Sequence, residues 1–199
     1  MTKFLFDLDG TITKQETLPL IAAHFHVNGE IDHLTRETIA GNVPFVESFI
    51  RRVHILGELP VEEVAELLRT VELYPLIVSF IQQHVEACCI VTGNLSCWIE
   101  PLVKRIGCAY ESSEAVVREN RIEKIASILR KENVVKHIQE EGHKVVFIGD
   151  GNNDVEAMRM ADISIASALT HYPAAGVLSV ADYVALNEAE LCGKLNQWI

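Results

Sequence analysis

Phe4-Leu5-Phe6-Asp7-Leu8-Asp9-Gly10-Thr11 is the stretch that decides the reading of this chain. An apolar run of strand-forming residues ends in two carboxylates one position apart, and a glycine follows at once. Alternate side chains of a strand share a face, so Asp7 and Asp9 lean into one small space just past the sheet. Two anions there repel unless a cation or a proton stands between them. The pattern suits a metal-assisted nucleophilic carboxylate next to a second carboxyl that donates a proton.

Two further segments end in the same manner. Val145-Val146-Phe147-Ile148-Gly149 runs into Asp150-Gly151-Asn152-Asn153-Asp154 and then into a helical pattern at Val155, Met158 and Arg159. Cys89-Ile90-Val91 ends in Thr92-Gly93-Asn94, a hydroxyl and two turn-forming residues. In open α/β sheets, ligands bind beyond the carboxyl ends of the strands. Three strands with these endings converge on one crevice, which core packing alone does not explain. A calcium loop is excluded for Asp150 to Asp154, because a strand precedes the acids and the ligand spacing fails.

Strand signals at residues 3–7, 87–92, 145–149 and 162–166 alternate with helical patterns near 75–84, 96–106, 131–141, 154–160 and 187–197. This alternation predicts a doubly wound parallel α/β sheet, Rossmann-like, over residues 1–13 and 75–199. Residues 14–74 carry no strand pattern. They read as amphipathic helices (Thr17–His26, Phe45–Leu56, Val61–Val71) broken at Asn28-Gly29, Gly41-Asn42 and Gly57, with Pro60 opening a helix. This all-helical insertion is expected to sit as a cap over the strand ends. Residues 111–128, around Glu119-Asn120, read as a small β-hairpin.

The 199 residues suit one domain with a large insertion, and 49% hydrophobic residues supply a core. A net charge of −11 without a Lys/Arg-rich run argues against nucleic acid or an anionic membrane as partner. No stretch is long enough to span a membrane, and with a strand expected already at residues 3–7 no signal peptide is expected. Five cysteines (Cys88, Cys89, Cys97, Cys108, Cys192) lack paired metal spacings and fit a reducing cytoplasm. His24 and His26 point to different helix faces, which favours surface or cap packing over zinc.

With these residues in hand, the chain resembles the haloacid dehalogenase superfamily, in its phosphoserine phosphatase-like group with a helical-bundle cap. Asp7-Leu8-Asp9-Gly10-Thr11 looks like the first motif and Thr92-Gly93-Asn94 the second. Lys131 at a helix start fits the third, and Gly149-Asp150-Gly151-Asn152-Asn153-Asp154 the fourth. The resemblance implies a Mg2+-dependent phosphomonoester hydrolase acting on a small phosphate ester. Asp7 would attack phosphorus and form an aspartyl-phosphate. Asp9 would protonate the leaving oxygen and then deprotonate water, with a pKa above that of Asp7. Asp7, the Asp9 carbonyl, Asp150 and Asp154, directly or through water, would hold Mg2+. Thr92, Gly93, Asn94 and Asn153 would bind phosphoryl oxygens, and Lys131 would neutralise their charge, with Lys136 and Lys124 as competitors.

Glu16 matches the position that faces the substrate amino group in phosphoserine phosphatases. The family's carboxylate-binding cap arginine falls, without gaps, on Ile50, with Arg51 and Arg52 beside it. A one-residue shift on a helix turns a side chain by about 100°, so Arg51 is no simple substitute. Phosphoserine is the leading single substrate, with other small phosphate esters open. A haloacid dehalogenase would need neither metal nor Asp9. A phosphomutase shares Asp7 and Asp9, and a catalytically silent metabolite-binding module is the alternative outside enzymes.

Overall fold

Thr2–Phe6 forms β1, the middle of a seven-stranded sheet. The computed structural model describes residues 1–199, the side chain of Ile39 excepted. β2 (Cys88–Leu95) and β5 (Lys144–Gly149) flank β1, both parallel to it. Beyond β2 lie β3 (Ala109–Arg118), parallel, and β4 (Arg121–Ser127), antiparallel at the edge. Beyond β5 lie β6 (Ile163–Ser167) and β7 (Tyr183–Ala185), both parallel. The chain therefore builds outward on one side of β1, returns, and builds outward on the other. That reversal opens a crevice at the carboxyl ends of β1, β2 and β5.

Helices cover both faces, so the central strands read as unbroken apolar runs rather than alternating ones. Phe4 and Phe6 point to the face packed by α5 (Pro75–Gln83), α6 (Ser96–Ile106) and α10 (Glu188–Leu195). Phe80 of α5 meets the Phe4 ring edge-on at 5.3 Å, an arrangement worth about 1 kcal/mol beyond area burial. Leu5 points the other way, toward Val135, Met158 and Val177 of α7 (Lys131–Glu140), α8 (Val155–Met160) and α9 (Ala175–Leu178).

Between β1 and α5 the chain makes four helices: α1 (Thr17–His24), α2 (Asn28–Ile39), α3 (Phe45–Leu56) and α4 (Val61–Arg69). The two strands of chain that join them to the sheet run side by side. Lys14 N–H donates to the Glu72 carbonyl at 2.9 Å, and Tyr74 N–H donates to that of Ile12 at 3.0 Å. Ile21, Phe49, Leu56, Val64 and Leu68 from these helices join the same apolar cluster as Phe4 and Phe6. The predicted hairpin forms, turning at Glu119 (φ 48°) and Asn120 (φ 61°). Two consecutive left-handed residues match the twist of the flanking strands. It also docks on the helices: Val61 N–H donates to the Asn120 carbonyl at 2.8 Å, and Ile122 N–H to that of Gly57 at 3.0 Å.

Two readings from sequence shift. Asn28-Gly29, expected as a break, opens α2; the break falls at His26, whose φ is 59°. An Asn-Gly pair is tolerated in a first turn, where helical hydrogen bonding is incomplete. α9 and β7, four and three residues long, are too short to show a period.

Candidate active site

Gly10, at φ +72°, lets the chain turn sharply beyond β1. Asp7 is thereby left at the strand end, with Asp9 two residues on. Asp7 is buried, and its Oδ1 accepts the Leu8 N–H at 2.8 Å. Lys131 Nζ lies 2.6 Å from Asp7 Oδ1 and 2.6 Å from Asp154 Oδ1. Helical geometry explains its reach: Lys131 sits one turn before Val135, on the face that α7 buries against the sheet. Lys136 is exposed and pairs with Glu140 at 3.8 Å. Lys124 is exposed on β4. Of the three lysines considered, Lys131 is the one that reaches the acids.

Asp154 joins the downstream loop to this lysine. Its Oδ2 accepts the N–H groups of Asp150 at 3.1 Å and Gly151 at 3.0 Å, which folds the loop back on itself. A Cβ on Gly149 would lie 2.5 Å from the Asp154 carboxylate, so glycine is needed there. Asp150 is held by the Thr11 hydroxyl, which donates to Oδ1 at 2.9 Å. Asp9 accepts from the backbone N–H of Thr17 at 3.1 Å and from its hydroxyl, so α1 orients the second carboxyl. Asn94 Nδ2 bridges Thr17 Oγ1 at 2.7 Å and Asp9 Oδ2 at 3.4 Å. Asn94 N–H also donates to Thr92 Oγ1 at 3.1 Å.

These groups line one cleft between the sheet and the helical insertion, together with Glu16, Gly93 and Asn153. All the site residues expected from sequence thus meet there except Lys131 and Asp154, which lie behind Asp7 and touch it or its partner. The cleft has a volume of about 80 Å³. Phe45 packs so closely over the turn after β2 that a Cβ on Gly93 would lie 2.6 Å from its ring.

The charges do not balance. Asp7, Asp150 and Asp154 can bring one oxygen each within 4.8 Å of one another, and Lys131 is the buried cation among them. Desolvation by burial, then the Asp154 carboxylate, raise the Asp7 pKa well above the usual range. Burial, and then Glu16, raise Asp9. Asp150 is pushed up to about 6, chiefly by burial. Burial opposes the charge on Lys131, yet Asp154 and Asp7 outweigh it and hold the ammonium above its ordinary value. Both carboxyls are thus raised chiefly by burial, and a divalent cation on the Asp7 oxygens would favour the ionised form of Asp7. A buried all-oxygen donor set with excess negative charge fits Mg2+.

Sequence reasoning missed Arg52, His171, Thr17, Thr35, Phe45, Phe49 and Asn152, all of which line the cleft or hold its walls. Ile50 does not occupy the place expected of the cap arginine. Ile50 is 47% exposed, Arg51 pairs with Glu30 on the surface at 2.7 Å, and Arg52 points into the cleft, 5% exposed. The signal was present in α3: Ser48, Phe49, Arg52, Val53 and Leu56 form one buried stripe at helical spacing. His171 comes from the irregular segment after β6, which has no period to read.

The sequence pattern of the haloacid dehalogenase-like hydrolases matches residues 4–159. The chain belongs to that family. It is 25% identical over 175 residues to the phosphoserine phosphatase of Methanocaldococcus jannaschii, covering 81% of this chain and 83% of that protein. It is also 25% identical over 181 residues to the 2-hydroxy-3-keto-5-methylthiopentenyl-1-phosphate phosphatase of Lysinibacillus sphaericus, covering 80% and 79%. Other phosphoserine phosphatases it matches are longer, and it spans 43% and 51% of two of them. A substrate-bound phosphoserine phosphatase structure superposes with a TM-score of 0.81 at 22% identity, covering 99% and 98%. That likeness extends the family's fold to both ends of this chain.

Proposed function

We propose that the protein is a Mg2+-dependent phosphatase that hydrolyses a small phosphate monoester through a phosphorylated Asp7. The observation that carries this reading is the Asp7–Lys131–Asp154 chain, set beside Asp9 and Asp150 at the switch point of the sheet. Similarity to phosphatases acting on two different esters supports the reaction class and leaves the ester open.

Asp7 presents a carboxylate oxygen for in-line attack, and Lys131 fixes that carboxylate and offsets charge on the phosphoryl oxygens. Asp154 positions Lys131 and closes the loop that carries Asp150. Thr92 and the amides of Gly93 and Asn94, with Asn153, receive phosphoryl oxygens. Asp9, its proton retained through burial, gives that proton to the leaving alcohol and takes one from water in the second half-reaction. Bound at Asp7, Asp150 and the Asp9 carbonyl, with Asp154 directly or through water, Mg2+ would supply charge neutralisation and template the attack. Residues 14–74 act as a cap, opening about the paired segments at 12–14 and 72–74 to admit substrate. No helix is long and apolar enough to cross a membrane, and free cysteines fit a reducing compartment such as cytoplasm.

Phosphate release from a panel of phosphorylated metabolites, with Mg2+ and with EDTA, tests the reading. EDTA-sensitive release from one or more esters is expected. Absence of release from every ester would favour a phosphomutase or a silent metabolite binder.

A further inference from the structure

Beyond the acids assigned to phosphoryl transfer, three charged side chains line the cleft: Glu16, Arg52 and His171. Two of them are committed to each other. His171 Nε2 lies 3.0 Å from Glu16 Oε1 and 3.0 Å from Asp150 Oδ2. Its Nδ1 lies 3.1 Å from the carbonyl of Tyr172. That second contact fixes the ring orientation and keeps Nε2 aimed at the carboxylates. Gly10 clears the space: a Cβ there would lie 3.0 to 3.2 Å from Asp150 Oδ2, Glu16 Oε1 and His171 Nε2. If Asp150 turns to a metal, Glu16 remains as the imidazole's partner.

Arg52 is in the opposite condition. Nε donates to the Ser48 carbonyl at 3.3 Å and Nη1 to Thr35 Oγ1 at 3.5 Å, both long contacts. Among the described residues it has no carboxylate partner within ion-pair distance. A guanidinium carries five N–H donors in a fork that matches a carboxylate, so most of its capacity faces the cleft. The adjoining wall is apolar, formed by Leu18, Phe45 and Phe49, the two rings stacked at 5.6 Å.

We propose that His171 is a specificity residue that, by holding Glu16, excludes from the Arg52-lined cleft leaving groups that bear an ammonium. An ammonium entering the cleft must compete with the imidazole for a carboxylate already paired. A carboxylate meets unused donors instead. The inference rests on the phosphatase reading above and narrows its substrate class.

The test compares kcat/KM for O-phospho-L-serine with that for 3-phosphonooxypropanoate, the same skeleton without the nitrogen. Wild type is expected to prefer the nitrogen-free ester by about tenfold or more, the scale of one charge-assisted hydrogen bond. His171→Ala should move that ratio about tenfold toward phosphoserine. Glu16→Gln in the His171→Ala background should remove the gain, which a merely structural role for His171 would not predict. Wild type preferring phosphoserine would overturn the inference without recourse to a variant. So would a loss in His171→Ala shared equally by both esters, or a changed Mg2+ requirement with the ratio unmoved. Absence of release from both esters and from p-nitrophenyl phosphate would sink the phosphatase reading itself. Hydrolysis with a ratio near one sinks this inference alone.

Discussion

The floor and the roof of the cleft are built on different terms. On the floor, Asp7, Lys131 and Asp154 are buried and tightly bonded to one another, backbone amides close the Asp7 and Asp154 carboxylates, and buried Asp150 is held by the Thr11 hydroxyl. On the roof, Arg52 makes two long contacts and keeps most of its donors free. Asp7 and Asp150 follow directly on strand ends whose positions the sheet fixes, and Lys131 reaches them from the first turn of α7. The roof residues hang from helices and an irregular segment, where sequence can change without disturbing the sheet. The proposed chemistry is thus held by the tightly bonded floor, and the proposed choice of substrate by the more loosely bonded roof.

Substitutions on the floor should be costly and indifferent to the ester used. Asp7→Asn removes the nucleophile with little change in shape, so turnover of every ester should fall at least about a thousandfold. Its melting temperature should stay within a few degrees of wild type, because the relief of a carboxylate raised by burial offsets the partner that Lys131 loses, and the loop amides held by Asp154 are untouched. Retained hydrolysis would break the mechanism. Asp154→Asn strips Lys131 of one of its two partners. It should destabilise the fold by about 3 kcal/mol in denaturant titrations and slow turnover roughly a hundredfold. A stable, fully active variant would show that Lys131 needs no such support.

Roof substitutions should instead sort by ester. Arg52→Ala should raise KM for carboxylate-bearing esters by about ten- to a hundredfold and leave kcat within a few-fold. Arg51→Ala, which loses a surface pair, should stay within about twofold. Equal effects of the two would overturn the assignment of Arg52 to substrate binding. A smaller effect concerns acid and metal. Asp150 has its folded pKa raised from the ordinary carboxylate range to about 6. Its contribution to stability is therefore complete below about pH 4 and is lost as pH climbs through 6. In EDTA, melting temperature should fall by a few degrees across that window. Added Mg2+ should restore it near pH 7 and much less near pH 4.5, where protons compete for the same oxygens. A Mg2+ response independent of pH would remove Asp150 from the metal's ligands.

The same division governs what could be read from sequence. The sheet and its floor were legible because strand period, apolar runs and motif residues coincide at Asp7, Thr92 and Asp150. Lys131 was legible once a helix was known to start there. Arg52 was misplaced because linear alignment ignores phase: Ile50 and Arg52 are two residues apart and face opposite ways on α3. Its place on the stripe of Ser48, Phe49 and Val53 would have found it. His171 was beyond reach, since only the folded path of the chain after β6 brings it to Glu16, 155 residues earlier. The break misplaced at Asn28-Gly29 follows from turn chemistry that a helix's first turn also accepts.

The most direct measurement is acid quenching of the enzyme during turnover of p-nitrophenyl phosphate with Mg2+, followed by mass spectrometry of its peptides. One phosphoryl group on the peptide carrying Asp7 is expected, absent with EDTA and absent in Asp7→Asn. Turnover with no phosphorylated Asp7 peptide, or with the phosphoryl group on another residue, would contradict a covalent route through Asp7.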